Sequence, residues 1–280
     1  MTHARLSPVL ILGVGGRLGK MLRAAWRKTP PLGLEIHYQS RRMLSGENSV
    51  RWAPGDDPAA LPACDTVIAL WGQTSGEAPA LDVNVTLADQ SRDVARACGA
   101  SRVLHLSSAA VYGPASAASE VTPPAPVNAY GQSKLAMETA VAGFDDLGLR
   151  HVCLRLANVV GADSLAPVLT GSAPARLDRF SDGNGPLRSY IGAADLADVL
   201  AALSRLPAAQ LPALLNVAAH RPVAMQDLIT ASGKDITWRN APPDAVQEVT
   251  MDCSLLRRLL PHVTPQSDPV ALVKMLHAQG

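Results

Sequence analysis

The chain has 280 residues, of which 48% are hydrophobic and 18% are charged, and its formal net charge is +1. This composition is typical of a globular protein and excludes an intrinsically disordered chain. The near-zero charge, without a Lys/Arg block, argues against a nucleic-acid-binding or membrane-surface protein, and no apolar run approaches the roughly 18 residues of a membrane span.

Cysteine and histidine spacings indicate neither a disulfide framework nor a metal site. Cys64, Cys98, Cys153 and Cys253 lie far apart without a Cys-x-x-Cys pair, and the seven histidines show no metal-binding spacing. Residues 1–8 are polar and lead directly into a strand, unlike a secretory signal. We therefore expect a soluble cytoplasmic protein with reduced, buried thiols and no bound metal.

Short apolar runs alternate with helical stretches, which is typical of βαβ units and a parallel sheet. Most of the runs are continuously apolar, as expected of strands buried on both faces. The candidate strands are residues 9–12, 34–38, 66–70, 103–106, 152–156 and 214–217. The candidate helices are residues 19–26, 85–98, 129–142, 194–203, 254–260 and 270–277. The predicted fold class is α/β, a Rossmann-type doubly wound parallel sheet with a small C-terminal substrate lobe.

A glycine-rich turn joins the first strand to the first helix, which is the context that a dinucleotide-binding fingerprint requires. Glycines let the backbone approach a pyrophosphate, and the start of the helix offers free N–H groups to the phosphates. A glycine-rich turn also occurs as plain structure, so the motif alone is weak. The expected cofactor-binding residues of this turn are Gly13, Gly15, Gly16, Arg17, Leu18 and Gly19.

The domain organisation follows from this motif. We expect residues 1–160, completed by 189–219, to form a dinucleotide-binding Rossmann domain. Residues 161–188 and 220–280 are then the small substrate-binding lobe. Segments 113–127 and 161–188 have weak periodicity and are predicted to be loops over the site, because ligands of such folds bind beyond the carboxyl ends of the strands. Residues 238–244 are rich in turn-forming residues.

Tyr130 and Lys134 form a Tyr-x-x-x-Lys pair on the predicted helix 129–142, and the i, i+4 spacing places them on one helix face. A neighbouring ammonium favours the charged form of a phenol and lowers its pKa, which would make Tyr130 a proton donor and acceptor near neutral pH. The alternative is a surface Tyr–Lys pair on an ordinary helix.

Ser108 ends the strand run 102–108, so its hydroxyl should project from the carboxyl end of a strand and bind a substrate oxygen. Ser107 competes for this role, but strand alternation points the two side chains to opposite faces. A serine nucleophile is a further alternative, although the chain has no Gly-x-Ser-x-Gly elbow.

In this order and spacing, the motifs resemble the extended short-chain dehydrogenase/reductase family, in its NAD(P)-dependent epimerase/dehydratase branch. The resemblance covers most of residues 9–220. It includes the glycine motif and the Tyr-x-x-x-Lys pair, and also the segments 65–68, 84–85, 107–113, 154–161, 188–191 and 195–196. The resemblance implies a homodimer, formed through the helices near 85–98 and 129–142.

The resemblance implies a role for each matching residue. Ser108 would be the catalytic hydroxyl, Tyr130 the acid/base, and Lys134 the residue that holds the nicotinamide ribose and lowers the pKa of the tyrosine. Asn158 matches a residue that often contacts a sugar nucleotide, and Arg188 one that often meets its phosphates. Asn158 could equally cap a turn, and Arg188 could be solvated.

The end of the second strand departs from the pattern of NAD-specific members. Ser40, Arg41 and Arg42 follow it, without an acidic residue to bind the ribose hydroxyls and repel a 2′-phosphate. This favours NADP(H), with NAD as the alternative; a basic surface turn would have the same composition. Leu70, at the end of the strand 66–70, is included among the expected cofactor contacts.

The residues after Ser108 narrow the reaction that the resemblance allows. The Asp-Glu pair of the sugar dehydratases is replaced by Ala109 and Ala110, and the cysteine of members that also epimerise next to a carbonyl is absent. The stretch from Asn158 to Arg188 is shorter than nucleotide-sugar enzymes usually carry, which leaves open whether the substrate is nucleotide-linked.

Three functions remain after this sequence analysis. The leading hypothesis is an NAD(P)-dependent oxidoreductase that transfers a hydride between nicotinamide and a carbohydrate-like carbonyl or alcohol, with a nucleotide sugar as one substrate class. The second is an NAD-dependent nucleotide-sugar 4-epimerase. The third is a non-catalytic dinucleotide-binding protein, which the joint presence of Ser108, Tyr130 and Lys134 disfavours.

Overall fold

The computed structural model describes residues 6–45 and 48–278. Fifteen strands, numbered in chain order, run through the described residues. They are β1 Ser7–Leu12, β2 Leu34–Ser40, β3 Ser49–Arg51, β4 Thr66–Ala69, β5 Arg102–Ser108, β6 Ala115–Ala118, β7 Arg150–Leu156, β8 Asn158–Val159, β9 Arg176–Arg179, β10 Leu187–Arg188, β11 Tyr190–Ile191, β12 Leu214–Val217, β13 Val223–Ala224, β14 Thr237–Asn240 and β15 Glu248–Met251.

Nine α-helices are numbered in the same way within the described residues. They are α1 Arg17–Lys28, α2 Ala78–Leu81, α3 Val83–Ala97, α4 Ala129–Ala142, α5 Ala166–Leu169, α6 Ala193–Arg205, α7 Met225–Ala231, α8 Ser254–Leu259 and α9 Pro269–His277. None of these helices is both long and apolar enough to cross a membrane.

Seven strands form one parallel sheet in the order β3-β2-β1-β4-β5-β7-β12. The chain reverses its direction of travel across the sheet between β1 and β4, which is the switch point where ligands of open α/β sheets bind. The predicted doubly wound Rossmann-type sheet is therefore confirmed, and β3 is a strand that the sequence analysis did not predict.

Helices cover both faces of the sheet because successive residues of β1 are buried on opposite sides. Val9 and Ile11 lie in the same apolar cluster as Leu22 of α1 and Leu200 of α6, whereas Leu10 lies with residues of α3 in another cluster. α1 packs against α6 on one face, and α3 packs against α4 on the other. The site must therefore open at an edge of the sheet rather than on a face.

A second, four-stranded sheet has the order β13-β10-β15-β6, and the pairs β8–β11 and β9–β14 complete the strands outside the main sheet. Its neighbouring core contains residues of α5, α7 and α9, among them Leu169, Leu228 and Leu272. β6 lies inside segment 113–127 and β14 overlaps 238–244, so these stretches are not wholly loops or turns as predicted. Residues of α8, such as Leu256, pack in the core of the main sheet.

Candidate active site

Ser108 and Ser107 end β5 with their side chains on opposite faces, as strand alternation predicts. The Ser107 hydroxyl donates a hydrogen bond of 2.5 Å to the Glu138 carboxylate in the interior. Ser108 starts a short 3-10 helix, and its Oγ accepts a hydrogen bond of 3.1 Å from the Ala110 N–H. The Ser108 hydroxyl is also close enough to the Tyr130 phenol to lower the pKa of that phenol. Ser108, rather than Ser107, therefore faces Tyr130.

The start of α4 brings Tyr130 to this position. Asn128 caps the helix, and its Oδ1 accepts a hydrogen bond of 2.8 Å from the Gly131 N–H. A Cβ at Gly131 would lie only 2.4 Å from the Ala110 carbonyl oxygen. Because that contact is with backbone, a larger residue would push α4 away from the turn that follows Ser108. Glycine after Tyr130 thus permits the close approach of the two hydroxyls.

The pKa of Tyr130 differs from the expectation drawn from the sequence. Burial raises this pKa, and the hydrogen bond with Ser108 opposes the rise. Lys134 is not among the causes of this shift, so the predicted lowering by Lys134 is not found. The Lys134 ammonium donates a hydrogen bond of 2.8 Å from Nζ to the Leu106 carbonyl oxygen. A protonated phenol at neutral pH suits Tyr130 as a proton donor.

Lys134 is only 4% exposed and lies behind the ends of two strands. Burial lowers its pKa to about 8, against the effects of Cys153 and Glu138, which raise it. A Cβ at Gly72 would lie 3.1 Å from Lys134 Nζ, so the ammonium reaches the backbone that follows β4. Lys134 is therefore placed where β4 and β5 end, beside the switch point of the sheet.

The glycine turn offers a cradle for phosphate groups between β1 and α1. Gly15, Gly16 and Arg17 are exposed, and Leu18 is half-buried. No side chain caps the N-terminus of α1 among the described residues, so the first-turn N–H groups have no side-chain acceptor. The exposed backbone and uncapped helix start fit the pyrophosphate of a dinucleotide.

The end of β2 lies against this turn. Gln39 is buried, and its Oε1 accepts a hydrogen bond of 2.7 Å from the Gly13 N–H while its Nε2 donates one of 2.5 Å to the Trp52 carbonyl oxygen. Ser40 is also buried, and its Oγ lies 3.5 Å from the position of a Cβ at Gly15. Gln39 thus supports the glycine turn from inside, whereas Ser40 borders it.

Two arginines follow Ser40 on the surface. Arg41 and Arg42 are exposed, and the Arg42 N–H lies 3.4 Å from Ser40 Oγ. Leu70, the remaining predicted cofactor contact, is half-buried beyond the end of β4, and its N–H donates to the Leu12 carbonyl oxygen at 3.0 Å. The structure therefore gathers the predicted cofactor residues at the carboxyl ends of β1, β2 and β4.

The two predicted substrate residues lie on two separate short strands beyond β7, Asn158 on β8 and Arg188 on β10. Asn158 is half-buried in β8, opposite Tyr190 of β11. The Arg188 guanidinium donates hydrogen bonds of 2.7 and 2.8 Å to the carbonyl oxygens of Gln247 and Val246. Arg188 therefore holds the segment before β15, and its contact with a phosphate stays a prediction.

Asn84 is a site residue whose role the sequence analysis missed. It is 1% exposed, and its Oδ1 accepts a hydrogen bond of 2.9 Å from the Gln73 N–H. Its Nδ2 donates to Ser133 Oγ at 3.0 Å, and the Ser133 hydroxyl donates to the Tyr130 carbonyl oxygen at 2.8 Å. Asn84 thus ties the segment after β4 to the helix that carries Tyr130. Its position in a motif was the available signal, but an asparagine in a helical pattern usually indicates an exposed face.

Comparison with known proteins identifies the family. Residues 9–218 match the model of the NAD dependent epimerase/dehydratase family. The chain belongs to this family. A dTDP-6-deoxy-L-talose 4-dehydrogenase (NAD(P)(+)) of Kitasatospora kifunensis is 31% identical to this family member over 195 residues, which cover 63% of the chain and 60% of that relative.

Solved structures show that the family fold extends over nearly the whole chain. MoeE5, in complex with UDP-glucuronic acid and NAD, has a TM-score of 0.77 at 21% identity, with 97% of this chain and 99% of that chain covered. The UDP-glucuronic acid 4-epimerase from Bacillus cereus, in complex with UDP-glucuronic acid and NAD, has a TM-score of 0.78 at 18% identity, with 96% and 97% covered. At these identities the likeness establishes the fold.

Proposed function

We propose that this family member is an NADP(H)-dependent oxidoreductase that interconverts an alcohol and a carbonyl on a nucleotide-linked sugar. The observation that carries the proposal is the position of the Ser108 hydroxyl beside the Tyr130 phenol, with Lys134 one helical turn further along α4. The relative named as a dTDP-sugar 4-dehydrogenase supports the substrate class.

Each residue of this group has a separate role in the proposed reaction. The nicotinamide cofactor, when bound, supplies or accepts the hydride. Ser108 donates a hydrogen bond to the substrate oxygen and orients it. Tyr130 gives its phenol proton to that oxygen during reduction and takes it back during oxidation. Lys134 holds the nicotinamide ribose, with its ammonium held in place by the hydrogen bond to the Leu106 carbonyl oxygen.

The cofactor preference rests on the residues around the glycine turn. Gly15, Gly16 and the start of α1 hold the pyrophosphate, while Ser40 and the exposed Arg41 offer a hydroxyl and a positive charge to a 2′-phosphate. We infer that NADP(H) is preferred to NAD(H). Asn158 and Arg188 are the proposed contacts of the nucleotide-linked part of the substrate.

The larger-scale assignments are also proposals. Residues 1–160 with 189–219 form the dinucleotide-binding part, and 161–188 with 220–280 supply the substrate lobe. A homodimer forms through α3 and α4, which pack against each other on one face of the sheet. The protein resides in the cytoplasm. Sedimentation equilibrium tests the assembly, since a homodimer has twice the 29.3 kDa mass of the chain.

The first experiment denatures the purified protein and identifies any released dinucleotide by mass spectrometry. A panel of dTDP- and UDP-linked sugars is then incubated with each dinucleotide while absorbance at the nicotinamide band is followed. Released NADP(H) and net turnover support the proposal. The outcome expected of a 4-epimerase differs. NAD(H) would be retained firmly, and the configuration of the sugar would change without net oxidation or reduction of the cofactor. Dinucleotide binding without hydride exchange on any substrate identifies a non-catalytic protein.

Replacement of Tyr130 by Phe tests the assignment of the acid/base. We expect turnover to fall roughly 100- to 10,000-fold, because the phenol proton is lost, while dinucleotide affinity stays near that of the wild type. Steady-state kinetics and fluorescence titration measure the two quantities. Ser108→Ala should lower turnover in the same way, and wild-type turnover in Tyr130→Phe would remove Tyr130 from the mechanism.

A further inference from the structure

Glu138 is a buried carboxylate one helical turn after Lys134 on α4. It is 8% exposed and accepts hydrogen bonds from two neighbouring strands. The Ser107 hydroxyl of β5 donates to Oε1 at 2.5 Å. Arg155 of β7 donates from Nη2 to Oε2 at 2.7 Å and from Nε to Oε1 at 3.0 Å. Burying charged groups costs desolvation free energy even when they are paired, and apolar residues of similar volume would pack as well. Glu138 is therefore a candidate for a functional role.

The first consequence of these contacts concerns the end of β5. Ser107 directly precedes Ser108, so a bond that fixes the Ser107 side chain also fixes the strand end from which Ser108 projects. Arg155, the partner of Glu138 on β7, is also held by its neighbours. The Arg155 guanidinium lies 4.5 Å from the centre of the Tyr112 ring, and the Tyr112 hydroxyl donates to Asn216 Oδ1 at 2.7 Å.

The second consequence concerns the charge of Lys134. Burial disfavours its ammonium, and Cys153 and Glu138 act in the opposite direction. Burial raises the pKa of the Cys153 thiol to about 12, so this group is neutral at physiological pH. His105 on β5 is neutral too, because burial, with help from His151 and Lys134, lowers its pKa to about 3. Glu138 is therefore the group whose negative charge acts on Lys134 near neutral pH.

We propose that Glu138 is a positioning residue of the reaction: through its hydrogen bond with Ser107 it holds the strand end that carries Ser108, and from one helical turn further along α4 it places a negative charge beside Lys134. This inference rests on the proposed function for the roles of Ser108 and Lys134. One side chain then sets two properties of the site. It sets the position of Ser108, which contacts the substrate, and the charge of Lys134, which contacts the nicotinamide ribose.

Two matched variants separate the two tasks. Glu138→Gln keeps the shape and a hydrogen-bond acceptor for Ser107 but removes the charge. Ser107→Ala keeps the charge and removes only the bond to β5.

For Glu138→Gln we expect the alkaline limb of the kcat/KM profile to move to lower pH by half a unit or more, because Lys134 loses its proton earlier. For Ser107→Ala we expect kcat to fall about tenfold without a shift of that limb. Glu138→Asp, which restores the charge, should return the limb towards its wild-type position.

The single charge removal leaves the Arg155 guanidinium buried without its partner, which can prevent folding. The double variant Glu138→Gln/Arg155→Met removes both charges and keeps an apolar group against Tyr112. We expect it to fold and to shift the alkaline limb in the same direction by a smaller amount, because repulsion of Lys134 by Arg155 is removed together with the attraction by Glu138.

A measurement without substrate separates this inference from the proposed function. The chain has five lysines, so the titration of each side chain can be followed by ¹³C NMR of its Cε in labelled protein, with Lys134 assigned by loss of its signal in Lys134→Met. We expect the Lys134 midpoint near pH 8 in the wild type and at lower pH in both charge-removing variants. If the midpoint and the alkaline limb stay in place in folded Glu138→Gln or in the double variant, Glu138 has only a structural role and the inference fails. If the wild type turns over no sugar nucleotide but the midpoint shifts, the proposed function fails while the effect of Glu138 on Lys134 stands.

Discussion

At the scale of single residues, two buried histidines next to the candidate site form a hydrogen-bonded chain with fixed proton positions. His151 Nε2 lies 3.0 Å from the Asp146 carboxylate, which can only accept, so His151 donates to it. His151 Nδ1 is then the acceptor, and His105 Nε2 donates to it at 3.0 Å. Burial is the main cause of the lowered pKa of both rings. Both imidazoles are therefore neutral in the native state at pH 7.

These histidines predict a loss of stability in mild acid. The unfolded chain takes up a proton at His105 near pH 6.5, whereas the folded chain resists it down to about pH 3. The contribution of neutral His105 to the free energy of unfolding is therefore fully present above pH 6.5. It falls as the pH drops, by about 2 kcal/mol at pH 5. Urea unfolding at pH 7 and pH 5 measures the fall. His105→Gln keeps a donor for His151 but does not titrate, and an unchanged fall in that variant would show that His105 is not its source.

Sequence motifs located the proposed catalytic residues, but they located the residues that support them less well. Ser108, Tyr130 and Lys134 stand in recognisable order, so their proximity could be predicted. Glu138 and Asn84 could not be assigned, because a buried polar residue on a helix has the same sequence pattern as an exposed one. The pKa of Tyr130 was expected to fall and instead rises, since burial depends on the three-dimensional packing around the ring.

At the scale of elements, the contact between α1 and the turn after β1 depends on Gly19. A Cβ there would lie 2.4 Å from Val14 Cα, which is backbone and cannot move aside without shifting the helix. We expect Gly19→Ala to lower the free energy of unfolding by about 2–3 kcal/mol. At the exposed Gly16 the nearest atom would be 3.8 Å away, so Gly16→Ala should cost less than about 1 kcal/mol.

Chemical denaturation of the two glycine variants at a single pH tests this difference. Equal losses of stability in Gly19→Ala and Gly16→Ala would contradict the packing argument. Because α1 also presents its N-terminus to the proposed pyrophosphate site, Gly19→Ala should weaken dinucleotide binding as well, through displacement of the helix rather than loss of a contact.

The strands of the main sheet could be predicted because they are continuous apolar runs, and only their ends differ. β7 extends from residue 150 to 156 rather than from 152 to 156, since the polar residues at its start interrupt the apolar pattern. Helix α4 spans the predicted residues 129–142, and the capping residue Asn128 marks its start. The short strands β6, β9 and β14 lack an apolar run of their own, and their pairing partners are distant in sequence, so local periodicity did not reveal them.

At the scale of the whole molecule, Asn216 joins the two large sheets. It lies in β12 and is completely buried. Its Nδ2 donates to the carbonyl oxygen of Ala118 at the end of β6 and to that of Asp252 after β15, at 2.8 and 2.9 Å. A single amide thus satisfies carbonyl groups from two strands of the second sheet. The two sheets are therefore joined by polar side-chain contacts as well as by the chain.

Replacement of Asn216 by Ala should destabilise the whole fold. Two buried carbonyl oxygens lose a donor, so we expect the free energy of unfolding to fall by about 3 kcal/mol. The control is Asn184→Ala, whose exposed side chain bonds Asp182 and whose loss should cost less than about 0.5 kcal/mol. Thermal unfolding followed by fluorescence and by circular dichroism measures both variants. Similar losses in the two would show that Asn216 does not couple the sheets.

The buried ammonium of Lys134 also implies that cofactor binding and the acidity of the medium are linked. With a pKa of about 8, this side chain is partly neutral in a mildly alkaline solution. A dinucleotide carries negative phosphates and favours the ammonium, so its binding should draw a proton from the buffer. Isothermal titration calorimetry at pH 8.5 in buffers of different ionisation enthalpy should therefore give different apparent heats, and at pH 6.5 the same heat. Identical heats at pH 8.5 would show that Lys134 is already charged before the cofactor arrives; a difference would mean that the pH of the surroundings sets how tightly the protein holds its dinucleotide.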